Sequence, residues 1–356
     1  MTHAPGPAGY GWWLASRSAG IVALLCVAIS VALGLAMAGR VALEPFDGEP
    51  LPPFQPGQLV TVRADVPGSG RLLRSYSLSS APDPRRHRIS VKRDGAFSRH
   101  VHAAVRAGDV LELAGPAGNF VLDRAGDAPV ALVSAGVGAT PVLAMLHALA
   151  ADASTREIWW LHGARNGAEH PFREEARELI ERLPNGRLHV RYSAPQPRDR
   201  RGHDYHGEGR IAAATLAELG VPAAAEHYLC GPAAFLDELT AGLQAAGVPA
   251  ERVRSERFGG APPRREEAPA ARPAAVAFSR SGVSVTWEGS GATLLDVAEA
   301  NGIPAASGCR IGSCHSCRTD VLDGSVRHDP EPLDPPPAGS ALLCCARPEG
   351  DVVLDA

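Results

Sequence analysis

The chain is short of lysine, aromatic residues and net charge, and each shortage removes a class of function. Lys92 is the only lysine among 35 basic residues, and 39 acidic residues leave a formal net charge of −4. Such a mixed, near-neutral surface offers no basic stripe to a nucleic-acid polyanion. Aromatics make up only 5%, while glycine (38) and proline (31) abound. Arginine in place of lysine, with much Ala, Gly and Pro, is the signature of GC-rich coding and carries no chemistry of its own. Cysteine is rare until late in the chain. Only Cys26 and Cys230 precede a cluster of five, namely Cys309, Cys314, Cys317, Cys344 and Cys345. An odd, clustered count excludes a secreted disulfide framework and points to metal binding in a reducing compartment. The 13 histidines form no metal-spaced pair, and no acid–base triad is evident.

One stretch lacks charge altogether. Residues 19–39 are mostly Ile, Val, Leu, Ala and Gly, bracketed by Arg17 and Arg40 with Trp12 and Trp13 just outside. The run is long enough to cross a bilayer core of about 30 Å, and its flanks suit the interface. It is expected to be a transmembrane helix behind an N-terminal segment, 1–18, anchoring catalytic domains on the cytoplasmic side of the cytoplasmic membrane. Two other readings compete: a signal peptide cleaved near Ala36-Met37-Ala38, and a start-site or gene-fusion remnant.

Beyond it the text changes twice. Residues 40–126 hold short β-like runs (59–66, 71–80, 88–93, 110–113) separated by Pro56-Gly57, Pro67-Gly68, Pro82-Asp83-Pro84 and Gly115-Pro116, the pattern of a small antiparallel β-barrel. Residues 127–260 alternate strand, turn and helix. The apolar run 129–134 meets Gly136-Val137-Gly138-Ala139-Thr140-Pro141 and a helical stretch, 142–150. A later strand, 225–229, enters Cys230-Gly231-Pro232 and the helix 233–246. This predicts an α/β parallel sheet. Residues 261–274, rich in Ala, Pro, Arg and Glu, read as a linker, and 275–356 as a third domain with a hairpin, a helix over 293–301 and the cysteine loop.

That loop is Cys309-Arg-Ile-Gly-Ser-Cys314-His-Ser-Cys317, with Leu342-Leu343-Cys344-Cys345-Ala346-Arg347-Pro348 later. The spacing C-x4-C-x2-C…C is that of a plant-type [2Fe–2S] cluster. A short loop wrapping an inorganic core needs close backbone approach, which Gly308 and Gly312 allow. Zinc sites usually pair two C-x2–4-C knuckles, and here there is one. The stretch 275–356 resembles plant and cyanobacterial ferredoxins, which implies a β-grasp fold. Cys344, four residues before Pro348 as in that pattern, is taken as the fourth ligand after Cys309, Cys314 and Cys317, and Cys345 as a small buried hydrophobe.

Upstream, Arg74-Ser75-Tyr76-Ser77-Leu78-Ser79-Ser80 is followed by Val91, Lys92 and Gly95-Ala96-Phe97-Ser98, then Gly108-Asp109 and Gly115-Pro116. In that order, across 54–260, the chain resembles the ferredoxin–NADP reductase superfamily. The resemblance implies that Tyr76 stacks on an isoalloxazine, Ser77 hydrogen-bonds near flavin N5, and Arg74, with Ser75 beside it, meets the phosphates, as a guanidinium does well. Val91, Lys92, Gly95 and Ser98 would line the pyrophosphate. The turn resembles the FAD-binding flavohaemoglobin and hybrid-cluster-protein reductase lobes more than the FMN-binding phthalate dioxygenase reductases, so FAD is expected over FMN. Gly136, Gly138, Thr140 and Pro141 would hold nicotinamide nucleotide phosphates. Cys230, with Gly231 and Pro232, would lie beside the nicotinamide, and Phe258 against the flavin. Ser77 and Cys230 are the catalytic candidates. NADH and NADPH both stay open: Arg165 follows the second strand, and no acidic residue ends it to bind a ribose diol.

The expected whole is a multi-domain, NAD(P)H-dependent flavoprotein iron–sulfur oxidoreductase. It would pass electrons from NAD(P)H through FAD to a [2Fe–2S] cluster and on to an oxygenase or hybrid-cluster-like acceptor protein. A membrane-bound ferric or quinone reductase and an anchored, non-enzymatic iron–sulfur carrier are the alternatives.

Overall fold

A computed structural model describes residues 21–29, 39–258, 272–289, 291–307, 312, 315–329, 332 and 335–356. By contact the chain divides into two units: residues 1–72, 76–116 and 120–259, and residues 73–75, 117–119 and 260–356.

The first unit contains two sheets. One has six strands, β1 (Ile21–Ile29), β2 (Gly39–Pro45), β3 (Leu59–Val66), β4 (Gly70–Ser77), β5 (His87–Val91) and β6 (Val110–Ala117), in the order β4-β3-β6-β1-β2-β5. A bridge from Leu78, just past β4, to Ile89 of β5 curls the two edges toward each other. Buried Val41, Leu43, Val60, Val62, Leu78, Ile89 and Val91 fill the interior. Helix α1 (Gly95–Ala104) buries Phe97 and Val101 against this barrel; the sequence showed only a turn there.

The expected transmembrane helix is not what the structure shows. Ile21–Ile29, inside the charge-free run, is strand β1, paired antiparallel with β2 (Leu25↔Glu44, Ile29↔Val41) and with β6 (Ile21↔Ala114, Leu25↔Val110). An apolar run rich in Ile, Val and Leu suits a central strand as well as a helix. Here neighbours on both sides satisfy its amides, and the barrel would otherwise lack the strand between β2 and β6. Residues 1–20 and 30–38 lie outside the described part. Among the described residues no helix is long and apolar enough to cross a membrane.

The second sheet is wholly parallel. It comprises β7 (Val130–Ala135), β8 (Ile158–Ala164), β9 (Gly186–Tyr192), β10 (Gly207–Glu208), β11 (Glu226–Gly231) and β12 (Val253–Arg257), ordered β10-β9-β8-β7-β11-β12. Val130, Ala131, Leu132 and Val133 of β7 are all buried, as expected of a strand covered on both faces. Helices α2 (Ala139–Ala151), α3 (Arg173–Glu181), α4 (Ala213–Leu219) and α5 (Ala233–Ala245) connect the strands. The order reverses between β7 and β11, so the turns after these two strands border the crevice where open α/β sheets bind ligands.

A carboxylate stitches barrel to parallel sheet. Glu175 of α3 meets Arg88 of β5 at 2.7 Å, His147 of α2 at 2.7 Å and Arg40 of β2 at 3.1 Å. Burial alone would raise its pKa, but the His147 hydrogen bond and the charges of Arg88 and Arg40 hold it down at about 2.

The second unit is a small β-grasp-like domain. A five-stranded sheet runs β14 (Val283–Trp287), β13 (Ala274–Phe278), β19 (Val352–Leu354), β15 (Arg318–Asp323) and β17 (Ser340–Leu342). A separate pair joins β16 (Val326–His328) to β18 (Ala346–Pro348). Helix α6 (Leu294–Ala300) starts on a capping box, Thr293 Oγ1 accepting from Asp296 N at 3.2 Å and Asp296 from Thr293 N at 2.8 Å. It buries Leu294, Leu295 and Ala298 against Phe278, Leu342 and Leu354.

A carboxylate held below its ordinary range stabilises the fold above its unfolded pKa, near 4.5, and that contribution fades as pH falls toward about 2. Glu175→Gln is therefore expected to flatten the loss of thermal stability on going from about pH 5 to pH 3, removing about 2 kcal/mol of pH-dependent stabilisation. Calorimetry across that range checks it; parallel wild-type and variant profiles would refute the linkage.

Candidate active site and cluster-binding loop

The end of β4 carries the residues singled out in the sequence. Arg74 is exposed, Ser75 and Tyr76 are half-buried, and Ser77 is buried. Successive strand side chains alternate faces, so Tyr76 and Ser77 point opposite ways. The Tyr76 ring lies 6.1 Å from that of Phe97 in α1, tilted by 36°. Ser77 instead donates to the carboxylate of Glu256 at 3.2 Å. Glu256, 6% exposed, belongs to β12 and stands in register beside Cys230 of β11. One buried acid thus joins the barrel's Ser77 to the parallel sheet's Cys230.

Cys230 is fully buried, and burial pushes its thiol pKa well up, with the Glu256 charge adding to the effect. It is held as a neutral thiol and takes no part as a nucleophile. The Gly136–Gly138 turn packs on it from β7. A Cβ at Gly138 would sit 2.3 Å from the Cys230 carbonyl oxygen and 2.8 Å from Gly231 N. No side chain larger than hydrogen fits there, which explains the second glycine of the turn. Thr140 and Pro141 are buried in the first turn of α2, where Thr140 Oγ1 donates to the Val137 carbonyl at 3.0 Å. Pro232 is the N-cap of α5. Phe258, half-buried, donates its amide to the Gly231 carbonyl at 2.8 Å, which brings the end of β12 over the Cys230 turn.

The pyrophosphate candidates divide. Gly95 opens α1 with φ +84° and nothing within 4 Å of its Cβ position, and Asp94 makes no side-chain cap. The first amides of α1 are thus left to an anion. Lys92 is exposed, Val91 is buried in the barrel core, and the Ser98 hydroxyl is spent inside its own turn on the carbonyls of Asp94 and Gly95. The residues fit a flat ring beside Tyr76 and a phosphate at α1, the latter through backbone donors.

In the second unit Cys309 and Cys314 lie outside the described residues. Cys317 and Cys344 come together: the Cys344 amide donates to Cys317 Sγ at 3.5 Å, as amides do toward sulfur in cluster loops. Cys345 is fully buried, its thiol 3.5 Å from the Leu342 carbonyl. A Cβ on Gly312, where φ is +74°, would meet Cys345 Sγ at 2.9 Å. Cys344 and Cys345 are both buried and belong to the same core cluster.

Sequence reasoning missed Glu256. It stands in the run Glu256-Arg257-Phe258-Gly259, where only the aromatic was singled out. Its strand, Val253-Arg254-Ser255-Glu256-Arg257, is polar throughout after Val253, so residue type gives no signal, and its partner Ser77 is 179 residues away.

Gly138→Ala is expected to cost about 1–3 kcal/mol by forcing the turn off Cys230, read by chemical denaturation. An unchanged midpoint would show that the two strands can part freely.

Comparison with known proteins agrees with this layout. A model of the oxidoreductase NAD-binding domain matches residues 132–240, and one of the 2Fe-2S iron–sulfur cluster binding domain matches 278–349. A flavohemoprotein of Deinococcus radiodurans is 43% identical over 220 residues, 61% of this chain and 54% of that protein. The chain spans about half the length of the curated relatives it matches. The flavohem-like FAD/NAD binding domain of nitric oxide dioxygenase from Vibrio cholerae O1 biovar El Tor is 35% identical with a TM-score of 0.59, covering 67% of this chain and 99% of that one. Phthalate dioxygenase reductase, a modular structure for electron transfer from pyridine nucleotides to [2Fe–2S], is 25% identical with a TM-score of 0.61. It matches over 96% of this chain and 99% of its own. The chain therefore belongs, through its first unit, to the flavohaemoglobin-like FAD/NAD-binding oxidoreductases of the ferredoxin–NADP reductase type, and it carries a 2Fe-2S cluster-binding domain after them.

Proposed function

We propose that the chain is an electron-transfer reductase taking electrons from NAD(P)H, through FAD, to a [2Fe–2S] cluster and on to an acceptor protein of the oxygenase kind. The observation that carries this reading is the convergence of Ser77 and Cys230 on Glu256. Supporting it, the residue expected near flavin N5 and the residue expected beside the nicotinamide both neighbour one buried acid. The identity with the FAD/NAD binding domain of the Vibrio protein supports FAD. The likeness over nearly the whole length to phthalate dioxygenase reductase supports an oxygenase as the acceptor.

Bound there, the flavin would supply the conversion of a hydride into single electrons, and the cluster the single-electron exit. The chain's own residues bind, orient and exclude water. Tyr76 offers a ring face, and α1 offers amides to the flavin phosphates. Gly136, with nothing within 4 Å of its Cβ position, leaves the β7 turn bare so that a nucleotide phosphate could approach the backbone. Cys230, held as a thiol, would lie beside the nicotinamide and bring no competing charge. Ser77 is fixed by Glu256 so that its hydroxyl keeps one orientation. Cys309, Cys314, Cys317 and Cys344 would hold the cluster, and Cys345 is packed in the core.

In protein loaded with flavin and iron, Cys344→Ser is expected to lose the cluster absorption and the NAD(P)H-driven reduction of cytochrome c. Ferricyanide reduction by the flavin alone should survive. Cys345→Ala should keep all three. Equal loss of both activities in Cys344→Ser would sink the relay, and loss of the cluster only in Cys345→Ala would exchange the two cysteines' roles.

A further inference from the structure

Glu175 belongs to none of the groups assigned above, yet two arginines and a histidine from three other elements converge on it. Two of them lead straight to the two halves of the site. Arg88 of β5 holds the carboxylate at 2.7 Å. The same guanidinium donates to the Ser79 carbonyl, with Nε 3.3 Å from Ser79 Oγ, and Ser79 stands two residues beyond Ser77 on the same run. His147 meets the same carboxylate oxygen at 2.7 Å from α2, the helix that springs directly from the Gly136–Gly138 turn. Arg40 of β2 takes the other oxygen at 3.1 Å.

The backbone beneath is strained. Phe172, buried at the N-cap of α3, adopts φ +59° and ψ +22°, the left-handed region. For a bulky residue this costs on the order of 1–3 kcal/mol and persists only where the surroundings over-determine it. The guanidinium carbons of Arg40 and Arg88 lie 5.5 and 5.9 Å from its ring centroid, so the ring and the carboxylate grip the same two arginines. A pair serving surface solubility would need neither the strain nor the burial.

We propose that Glu175 is a positioning residue for hydride transfer, holding the Tyr76–Ser77 strand in register with the nucleotide-binding turn through Arg88 and His147. This rests on the reductase reading above. Hydride transfer is sensitive to placement: an ångström of misalignment can cost about a hundredfold. Removing the charge leaves two partly buried arginines without their counter-ion, so the seam between the sheets relaxes even where the fold survives.

The test uses flavin-loaded protein and Glu175→Gln, which keeps the shape and loses the charge. At saturating NAD(P)H the rate of flavin bleaching per bound flavin should fall about tenfold, or ~1.4 kcal/mol. The nucleotide dissociation constant should stay within about twofold, and reoxidation of chemically reduced flavin by ferricyanide should be unchanged. Without nucleotide, hydrogen–deuterium exchange should quicken in peptides covering 76–80 and 139–148. Arg88→Lys, which keeps the charge and loses the fork onto Ser79, should reproduce the pattern at smaller size. Lower flavin content or melting temperature with an unchanged rate per bound flavin marks a merely structural role and overturns the proposal, as does unaltered exchange. No bleaching of the wild type by NAD(P)H would overturn the reductase reading and this role with it. Wild-type bleaching matched by the Gln variant overturns this role alone.

Discussion

The hydroxyl of Ser77 donating to the carboxylate of Glu256 joins an antiparallel barrel to a parallel sheet. Neither sheet holds the site alone. The barrel ends β4 with Tyr76 and Ser77 facing opposite ways; the parallel sheet reverses its order between β7 and β11 and leaves its crevice there. A buried acid in water-poor surroundings demands partners, and Glu256 finds one in Ser77 across the seam while standing in register with Cys230. The contact is geometric as well as energetic, since a carboxylate accepting from a strand-end hydroxyl fixes how far β4 lies from β11 and β12. The Gly138 turn pressing on the Cys230 carbonyl fixes the third side.

Much of this was legible in the sequence, for a physical reason. The alternation of strand, glycine turn and helix announces a parallel sheet because backbone geometry allows few other residues at those turns. The strands around 59–66 and 110–113 were visible from their β-branched residues and punctuation. Ile21–Ile29 was misread because a run apolar on every side carries no period: 2.0 and 3.6 cannot be told apart when every position is Ile, Val, Leu, Ala or Cys. Length then tips the choice toward a membrane helix, whereas Ile21–Ile29 is strand. Helix α1 was hidden for the opposite reason, since Gly95 and Ser98 are poor helix formers and its two inward residues, Phe97 and Val101, are too few to show a period.

What the sequence could not reveal lies in long-range pairing. Glu256 and Glu175 look like any acid beside arginines, and only the fold brings Ser77 to the first and Arg88, His147 and Arg40 to the second. The hydroxyls of Ser98 and Thr140 illustrate the converse. Both sit where a phosphate donor is expected, and both are turned onto carbonyls of their own turns. Donation to an anion from these loops thus falls to backbone amides, whose direction is set by conformation and is invisible to residue type.

Charge at Cys230 carries the synthesis one step further. A cysteine in an electropositive, half-exposed niche is a thiolate and reacts; one that is buried beside a carboxylate is neither. Burial and Glu256 act in the same direction on Cys230, so it stays a thiol, while Glu256 accepts the hydrogen bond of the Ser77 hydroxyl. A ring carrying positive charge in its oxidised form is better accommodated beside a neutral, polarisable sulfur and a fixed carboxylate than beside water, whose dipoles would reorganise as that charge disappears. On this account the acid and the thiol act together as a preorganised environment. Their value lies in staying unchanged while electrons pass, which is the role a reductase asks of its protein part.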